Sequence, residues 1–228
     1  ESFQVNIRPL PLLKKEVLVD AIDLRGVKAN TGNLIEGMEI KGTLGKLYAK
    51  ADRIDLGKEI ARLNKIDLSD TAITLLMNDT TTNKDTTSTA VNWKLMLDQI
   101  DLDRVAFAMQ IPGDSLRLST YIDKAGLTDG IVDLGSARYS ASQFLLSGSS
   151  LSYDGSYSDP APGFDPAHIA LNDVNIRIDS LLYGGRDISA RIKKFSANDR
   201  SGLTLSSLTG DISSDSTTIQ VPGLLLKT

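Results

Sequence analysis

A short pattern that returns along the chain constrains its fold more than any other sequence feature. The pattern is clearest at residues 17–24 (VLVDAIDL), where apolar residues occupy positions one, three, six and eight, and an aspartate occupies position four. The further copies lie at 49–56 (AKADRIDL), 61–68 (ARLNKIDL), 95–102 (LMLDQIDL), 169–176 (IALNDVNI), 176–183 (IRIDSLLY) and, with lysine at position four, 190–197 (ARIKKFSA).

The spacing of the apolar residues predicts a bent strand. Successive side chains of a strand point to opposite faces, so positions one and three share one face while positions six and eight share the other. Either both faces are covered, or a β-bulge at position four restores the apolar side and bends the strand. We adopt the bulge for most copies, which predicts a curved or folded-over sheet.

Length and composition limit the class of protein. The chain has 228 residues, enough for one large β domain or two smaller ones, and 41% hydrophobic content indicates a globular protein. Its 25 basic and 29 acidic residues are interspersed, so the sequence offers no basic stripe for nucleic acid. No apolar run is long enough to span a bilayer. The start at Glu1, without a signal-like segment, predicts a mature fragment whose targeting segment was removed.

Short apolar segments separated by Gly, Asn and Asp turns predict an all-β fold. We expect an elongated, curved antiparallel sheet or an open U-shaped β-trough, made of many short bent strands, such as 115–120 and 131–134, with at most short helical turns. Two polar segments interrupt this pattern. Residues 78–89 (NDTTTNKDTTST) predict a mobile loop, and residues 147–167 predict an irregular connection. The β-rich section is therefore expected over 1–146, and the same architecture continues over 168–228.

The sequence offers few residues for catalysis or metal binding. It has no cysteine and one histidine, His168, which excludes the usual His/Cys zinc sites. We expect His168 to be a surface or packing residue. Neither a Gly-rich phosphate loop nor a GxSxG or HExxH motif is present. Residues 154–159 (DGSYSD) supply oxygen atoms that suit Ca²⁺, but they lack the spacing of a known calcium loop. We therefore expect no cofactor, no metal and no catalytic residue.

The many aspartates allow two interpretations. Paired carboxylates would suit glycoside hydrolysis. Alternatively, Asp lies at bulges and turns, where its side chain bonds local backbone N–H groups, and we favour this interpretation. Asp-Thr/Ser triplets that begin at residues 70, 79, 85, 114 and 179 are similar to the acceptor pattern for periplasmic O-glycosylation, which gives a hypothesis of modification.

Aliphatic side chains are abundant in the sequence, on many short predicted strands. If the sheet closes on itself they form a core, whereas in an open trough they line a groove that suits acyl chains. The candidate groove residues are the inward aliphatics of the pattern: Val17, Val19, Ile22, Leu24, Ile54, Leu56, Ile66, Leu68, Leu95, Leu97, Ile100 and Leu102.

Residues 10–31 (LPLLKKEVLVDAIDLRGVKANT) resemble the entry segment of AsmA-like proteins, including the TamB family, in which a short Pro-Leu-Leu turn precedes an alternating strand. Residues 65–79, 93–109 and 174–185 are similar to further copies of the family's strand pattern. The resemblance covers most of the chain, although its motifs are degenerate.

The resemblance implies a periplasmic, non-enzymatic protein. Members of the family have an N-terminal membrane anchor and a long β-trough with an apolar interior, and they are implicated in phospholipid movement between the inner and outer membranes. TamB is also linked to outer-membrane protein assembly through a barrel partner. This chain would be one section near the N-terminal end, tethered to the inner membrane in the full-length protein. Its implied partners are phospholipid acyl chains and an outer-membrane β-barrel protein. The alternative is a closed structural or protein-interaction β domain without a lipid groove.

Overall fold

The computed structural model describes residues 2–8, 16–32, 37–77, 92–185, 187–214 and 217–228, with the backbone alone for 2–8 and 16–20. These residues form a single sheet. The predicted loop at 78–89 lies outside the described residues. The strands are β1 (Ser2–Arg8), β2 (Glu16–Asn30), β3 (Met38–Asp55), β4 (Ile60–Met77), β5 (Lys94–Ile111), β6 (Leu116–Asp133), β7 (Arg138–Asp154), β8 (His168–Gly184), β9 (Asp187–Asp199), β10 (Thr204–Ser214), β11 (Ile219–Gln220) and β12 (Leu225–Lys227).

The order of the strands in the sheet follows their order in the chain. Strands β1 to β11 are successive neighbours, and β12 also pairs with β10. The all-β prediction is confirmed: the described residues contain no α-helix, only one 3₁₀ turn at Pro112–Asp114. Neighbouring strands are antiparallel, as predicted, with one exception. Strands β4 and β5 run parallel, so the copies at 61–68 and 95–102 lie side by side in register.

The strands are longer than the sequence predicted. Strands β3 to β8 have 17 or 18 residues each, and the segments 115–120 and 131–134, predicted as separate strands, both contribute to β6. Strand β7 continues to Asp154, so the irregular connection covers only 155–167 instead of 147–167. The polar residues between apolar segments interrupt the alternation of apolar and polar residues, but they do not end the strand. Backbone pairing with the neighbouring strands continues on both sides of them.

In most copies, position four of the pattern coincides with irregular pairing, as predicted, but in the copy at 176–183 Asp179 pairs regularly and the break lies at Ser180. Between β1 and β2, Asn6 pairs with Ala21 and Ile7 pairs with Val19, so Asp20 is an extra residue. The pairing of β3 with β4 passes over Asp52 and Asn64 in the same way, and the pairing of β8 with β9 passes over Lys193. These residues are β-bulges, which bend a strand and increase its twist.

The irregular positions of neighbouring strands lie next to one another, so they form two lines across the sheet. The first bend line consists of Asp20, Asp52, Asn64, Asp98, Asp129, Ser142 and Ser180. The second bend line consists of Gly26, Gly45, Asp70, Arg104, Asp123, Gly148 and Asp173. Because β5 and β6 have their breaks opposite each other, their pairing register is the same along the whole ladder.

Left-handed backbone conformations occur on both lines. In the first bend line, φ is +49° at Asp129 and +58° at Ser180. The second bend line has φ of +52° at both Asp70 and Arg104, and +48° at Asp173. Non-glycine residues adopt this region rarely, and Asp does so more readily than most residues. A repeated left-handed residue at one level of adjacent strands therefore marks a bend shared by the sheet.

The apolar residues keep to one face across the first bend line. A Cβ atom placed on Gly130 would lie 2.6 Å from Cδ2 of Leu127 and 3.3 Å from Cβ of Leu97, so all three positions face the same side. Leu97 pairs with Gly130, and Ile100 pairs with Leu127. Since directly opposite residues share a face, Leu97 and Ile100 point the same way despite the break at Asp98. In β5 and β6, the interpretation with both faces covered is wrong.

The sheet is open and has a small core. Its accessible surface is 14372 Å², against about 10,000 Å² for a compact protein of 24.6 kDa. No second sheet covers either face among the described residues. The buried apolar residues are Ala61, Leu97, Val105, Ala141, Val174 and Ala197. A closed sandwich, which was the alternative architecture, is therefore wrong for the described part of the chain.

Candidate apolar groove

Two rows of apolar residues cross the sheet between the bend lines, and we call them the floor rows. Directly opposite residues of neighbouring strands point to the same face, so each row is one stripe of adjacent side chains. The first floor row contains Ile22, Ala49, Ile66, Ile100, Leu127, Phe144, Ile178 and Ile192. The second contains Leu24, Leu47, Leu68, Leu102, Ala125, Leu146, Ile176, Phe195, Leu208 and Leu226.

The walls beyond the bend lines also carry apolar rows. Beside the first bend line, the wall row contains Ile54, Ala61, Leu95, Val132, Tyr139, Tyr183 and Ile188. The rings of Tyr139 and Tyr183 are stacked, with centroids 5.9 Å apart. Beside the second bend line, one wall row contains Ile73, Phe107, Thr120, Leu151 and Leu171, and the next contains Leu75, Met109, Leu118, Tyr153 and Ile169.

Seven of the ten buried non-glycine residues lie where the walls meet the floor, and Asp55, Ala61 and His168 are buried elsewhere. Beside the second bend line, Thr71, Val105, Ser149, Val174 and Ala197 are all buried. Leu97 and Ala141 are buried beside the first. A side chain at a concave corner is shielded by two walls, whereas a side chain on a flat single sheet stays half-exposed. The buried positions therefore indicate that both bends fold the sheet toward its apolar face. Small side chains predominate at these corners because the bend brings their neighbours close together.

Most predicted groove residues come together on this face. Ile22, Leu24, Ile66, Leu68, Ile100 and Leu102 belong to the floor rows, Ile54 and Leu95 to a wall row, and Leu97 to a corner. The side chains of Val17 and Val19 lie outside the described residues, although the backbone of Val17 pairs with Ile54.

Leu56 does not take its predicted place in the groove. Strand β3 ends at Asp55, whose carboxylate accepts hydrogen bonds from the backbone N–H groups of Gly57 (3.1 Å) and Lys58 (3.0 Å). This turn leaves Leu56 half-exposed and outside the apolar rows. Position eight of this copy was assigned to the strand because the pattern alone does not show where the ladder stops.

The sequence analysis missed the groove residues of β6 to β9. Leu127, Phe144 and Leu146 fall outside every copy of the pattern, although each belongs to an apolar pair at spacing two. Ile176 and Ile178 lie in copies that were recognised but not selected. These residues could have been found from the sequence. The apolar pairs of β7 and β8 lie at the same distance from a polar residue as the apolar pairs of β5 do.

Polar side chains pair with one another along the bend lines. In the second bend line, Nε and Nη2 of Arg104 donate to the carboxylate of Asp70 at 2.7 and 3.1 Å, which lowers the pKa of Asp70. In the first, Nδ2 of Asn64 donates to Oδ2 of Asp98 at 2.9 Å. These contacts join side chains of neighbouring strands, whereas the bonds to local backbone N–H groups that were predicted for aspartate occur at turns, as at Asp55.

The Asp-Thr/Ser triplets differ in accessibility. Thr71 is buried, so the acceptor triplet at 70–72 is inaccessible in the folded protein, and the triplets at 79 and 85 lie outside the described residues. The described part of the chain contains no group of three or more His, Asp or Glu side chains that could hold a metal ion. It also has no helix with the length and apolar character needed to cross a bilayer.

No protein-family model matches the sequence, and no curated protein is similar enough to serve as a relative. The resemblance to AsmA-like and TamB proteins therefore stays a prediction.

Proposed function

We propose that the chain is a section of an AsmA/TamB-like envelope protein whose groove, without catalysis, shields phospholipid acyl chains between two membranes. The observation that carries this proposal is the continuous set of aliphatic rows on the concave face of an open sheet. Large apolar patches on soluble proteins mark sites for proteins, lipids or apolar ligands. Here the patch is a groove with two walls, a shape that fits a flexible chain.

The size of the groove suits an acyl chain. Adjacent strands lie about 4.8 Å apart, so the seven strands β3 to β9 give a groove roughly 30 Å long. The hydrocarbon core of a bilayer is about 30 Å thick, so each acyl chain spans about 15 Å. The groove is therefore long enough to take a whole chain. Each methylene removed from water contributes about 0.8 kcal/mol, so binding increases with chain length.

The location and partners follow from the resemblance of residues 10–31 to the family. On that basis we place the chain in the periplasm, tethered to the inner membrane through an anchor in the full-length protein. An outer-membrane β-barrel protein is the expected protein partner, and support of outer-membrane protein assembly is the second activity of the same proposal.

Lipid extraction and native mass spectrometry of the purified protein test the proposal. Ile100→Asp and Leu102→Asp place a carboxylate on the floor rows and should abolish lipid co-purification. The matched control is Leu145→Asp. Leu145 lies between the floor residues Phe144 and Leu146 and therefore points to the opposite face. The control should retain lipid. Wild-type protein without bound lipid, or equal lipid in all three variants, would contradict the proposal.

A protein-interaction β domain without a lipid groove is the second candidate. Its support is the edge formed by β11 and β12, where Ile219 and Leu225 are 74% and 65% exposed. A hydrophobic dye separates the two functions. Dye that binds the native protein and is displaced by a fatty acid supports the groove, whereas a native protein that binds no dye supports the interaction domain.

A further inference from the structure

The one histidine of the chain, His168, is the first residue of β8 and follows the connection from β7. His168 is 4% exposed, although the sequence places it beside a polar loop. Its Nδ1 lies 2.9 Å from Oδ1 of Asp154, and its Nε2 lies 3.3 Å from Oγ of Ser158. A hydroxyl, an imidazole and a carboxylate are thus joined in sequence, which is the arrangement by which hydrolases activate a serine.

We propose that Ser158, His168 and Asp154 form a hydrolytic site for carboxylic esters. In this assignment Ser158 is the nucleophile and His168 is the general base. Asp154 is a positioning residue that holds the imidazole with its proton on Nδ1, which leaves Nε2 free to accept the proton of Ser158.

Backbone contacts fix the loop that presents the serine. The N–H of Gly155 donates to the carbonyl of Ala167 at 2.8 Å, which closes the base of the loop. The carboxylate of Asp165 accepts hydrogen bonds from the N–H groups of Ala161 (2.9 Å) and Ala167 (3.0 Å), and these bonds lower the pKa of Asp165. Ser158 itself is held by Ser156, whose Oγ accepts from the N–H of Ser158 at 2.9 Å and lies 2.6 Å from Oγ of Ser158.

A cavity of about 170 Å³ adjoins Asp154. Arg117 also lines the cavity, and its guanidinium carbon lies 4.9 Å above the ring of Tyr157, the residue before Ser158. Ser158 and His168 do not line the cavity, so the substrate class is inferred from the three side chains alone.

The reaction needs only water as a second reactant. Oγ of Ser158 attacks the carbonyl carbon while its proton moves to Nε2 of His168. The tetrahedral intermediate then breaks the bond to the alcohol oxygen, which takes the proton from Nε2 and leaves as the free alcohol. Water attacks the acyl-serine, transfers a proton to Nε2, and the acid departs as Ser158 regains its proton.

This site is separate from the apolar groove. Asp154 and Arg117 are opposite each other in the ladder and one residue away from the wall residues Tyr153 and Leu118. Adjacent residues of a strand point to opposite faces, so the site lies on the outer side of the sheet. Ester hydrolysis would therefore be an additional activity, and neither activity depends on the other.

Labelling with a fluorophosphonate probe, together with release of p-nitrophenol from p-nitrophenyl acetate, tests the site. The wild-type chain should be labelled at Ser158 and should turn over the ester. Ser158→Ala should lose both signals, and Ser136→Ala, which changes a serine in the turn between β6 and β7, should retain both. Absence of labelling in the wild type, or labelling that persists in Ser158→Ala, would overturn the proposal.

Asp154 requires a different comparison because it acts through His168. Asp154→Asn should reduce the labelling rate by about 10²- to 10⁴-fold. Asp154→Glu, which restores a carboxylate, should recover part of the rate. Equal rates in these two variants, at unchanged melting temperature, would remove the positioning role.

Discussion

The two bend lines produce the same change of direction with different residues. Asp and Asn occupy most of the first line, where a side-chain amide pairs with a carboxylate at Asn64 and Asp98. The second line uses glycine where backbones approach closely, as at Gly45, and an ion pair at Asp70 and Arg104. The two lines share one property: each break in the strand pairing lies beside a break in the neighbouring strand. The bend therefore depends on alignment across the sheet more than on residue type.

The inner sides of the two lines also differ. The corner at the second line buries small or β-branched side chains such as Thr71, Val105 and Ser149, whereas the corner at the first line buries Leu97 beside Gly130. One corner is thus filled by many small groups, and the other by a large side chain over a glycine. Loss of a single side chain should consequently destabilise the fold more at the first bend line than at the second.

Leu97→Ala should give the largest effect on stability. It removes a buried side chain that its neighbours cannot easily replace, so we expect a loss of about 2–4 kcal/mol in the free energy of unfolding. The control, Leu145→Ala, removes a partly exposed leucine from the outer face and should cost below about 1 kcal/mol. Urea denaturation measures both. Equal losses would show that the first corner is not a packed site.

Gly45→Ala tests close approach at the second line. Its Cβ would lie 2.6 Å from both Cβ and the carbonyl oxygen of Asp70, so backbone must move, and we expect a loss of about 1–3 kcal/mol. The control is Gly126→Ala in β6, where the nearest atom would be 3.8 Å away. A Gly45 variant that unfolds at the same urea concentration as the control would contradict close packing of β3 against β4.

Asn64→Asp tests the polar pair of the first line. It would place two carboxylates opposite each other in the parallel ladder, and their repulsion should cost about 1 kcal/mol at neutral pH. The cost should shrink at high ionic strength, because salt screens the two charges. Urea denaturation at low and at high salt measures the difference, and a salt-independent loss would argue against the repulsion.

Asp70→Asn should have the smallest effect. Asn also tolerates the left-handed backbone, so the substitution removes the charge while the bend remains. Because Arg104 lowers the pKa of Asp70 in the folded protein, the ion pair stabilises the fold above the unfolded-state pKa and ceases to do so as pH falls through the folded-state value. The variant should be less stable than the wild type at pH 7 and equal to it in strong acid. A difference that persists in acid would assign another role to Asp70.

The two bend lines also differ in how well the sequence predicts them. The first line was predictable because Asp or Asn recurs at one place in a local pattern, as at Asp20 and Asp52. The second was not, since Gly45, Asp70 and Arg104 share no residue type and meet only through strand pairing.

The pairing of the strands themselves was beyond the local pattern. The parallel contact of β4 with β5 joins residues 34 positions apart, and the sequence repeats IDL at that separation, at Ile66 and Ile100. Repetition at a fixed separation was therefore a usable signal for the register, but not for the direction of pairing. The serine site was missed for a related reason: Ser158 and Asp154 reach His168 through the shape of a loop.

We propose that the aligned breaks keep aliphatic side chains on one open face and that this face binds acyl chains. The most direct test of this proposal is photo-crosslinking from a benzoylphenylalanine placed at Leu102 or at Leu145 in protein purified with native lipid. The account predicts a lipid adduct at Leu102, on the floor, and none at Leu145, on the outer face. Adducts at both positions, or at neither, would contradict it.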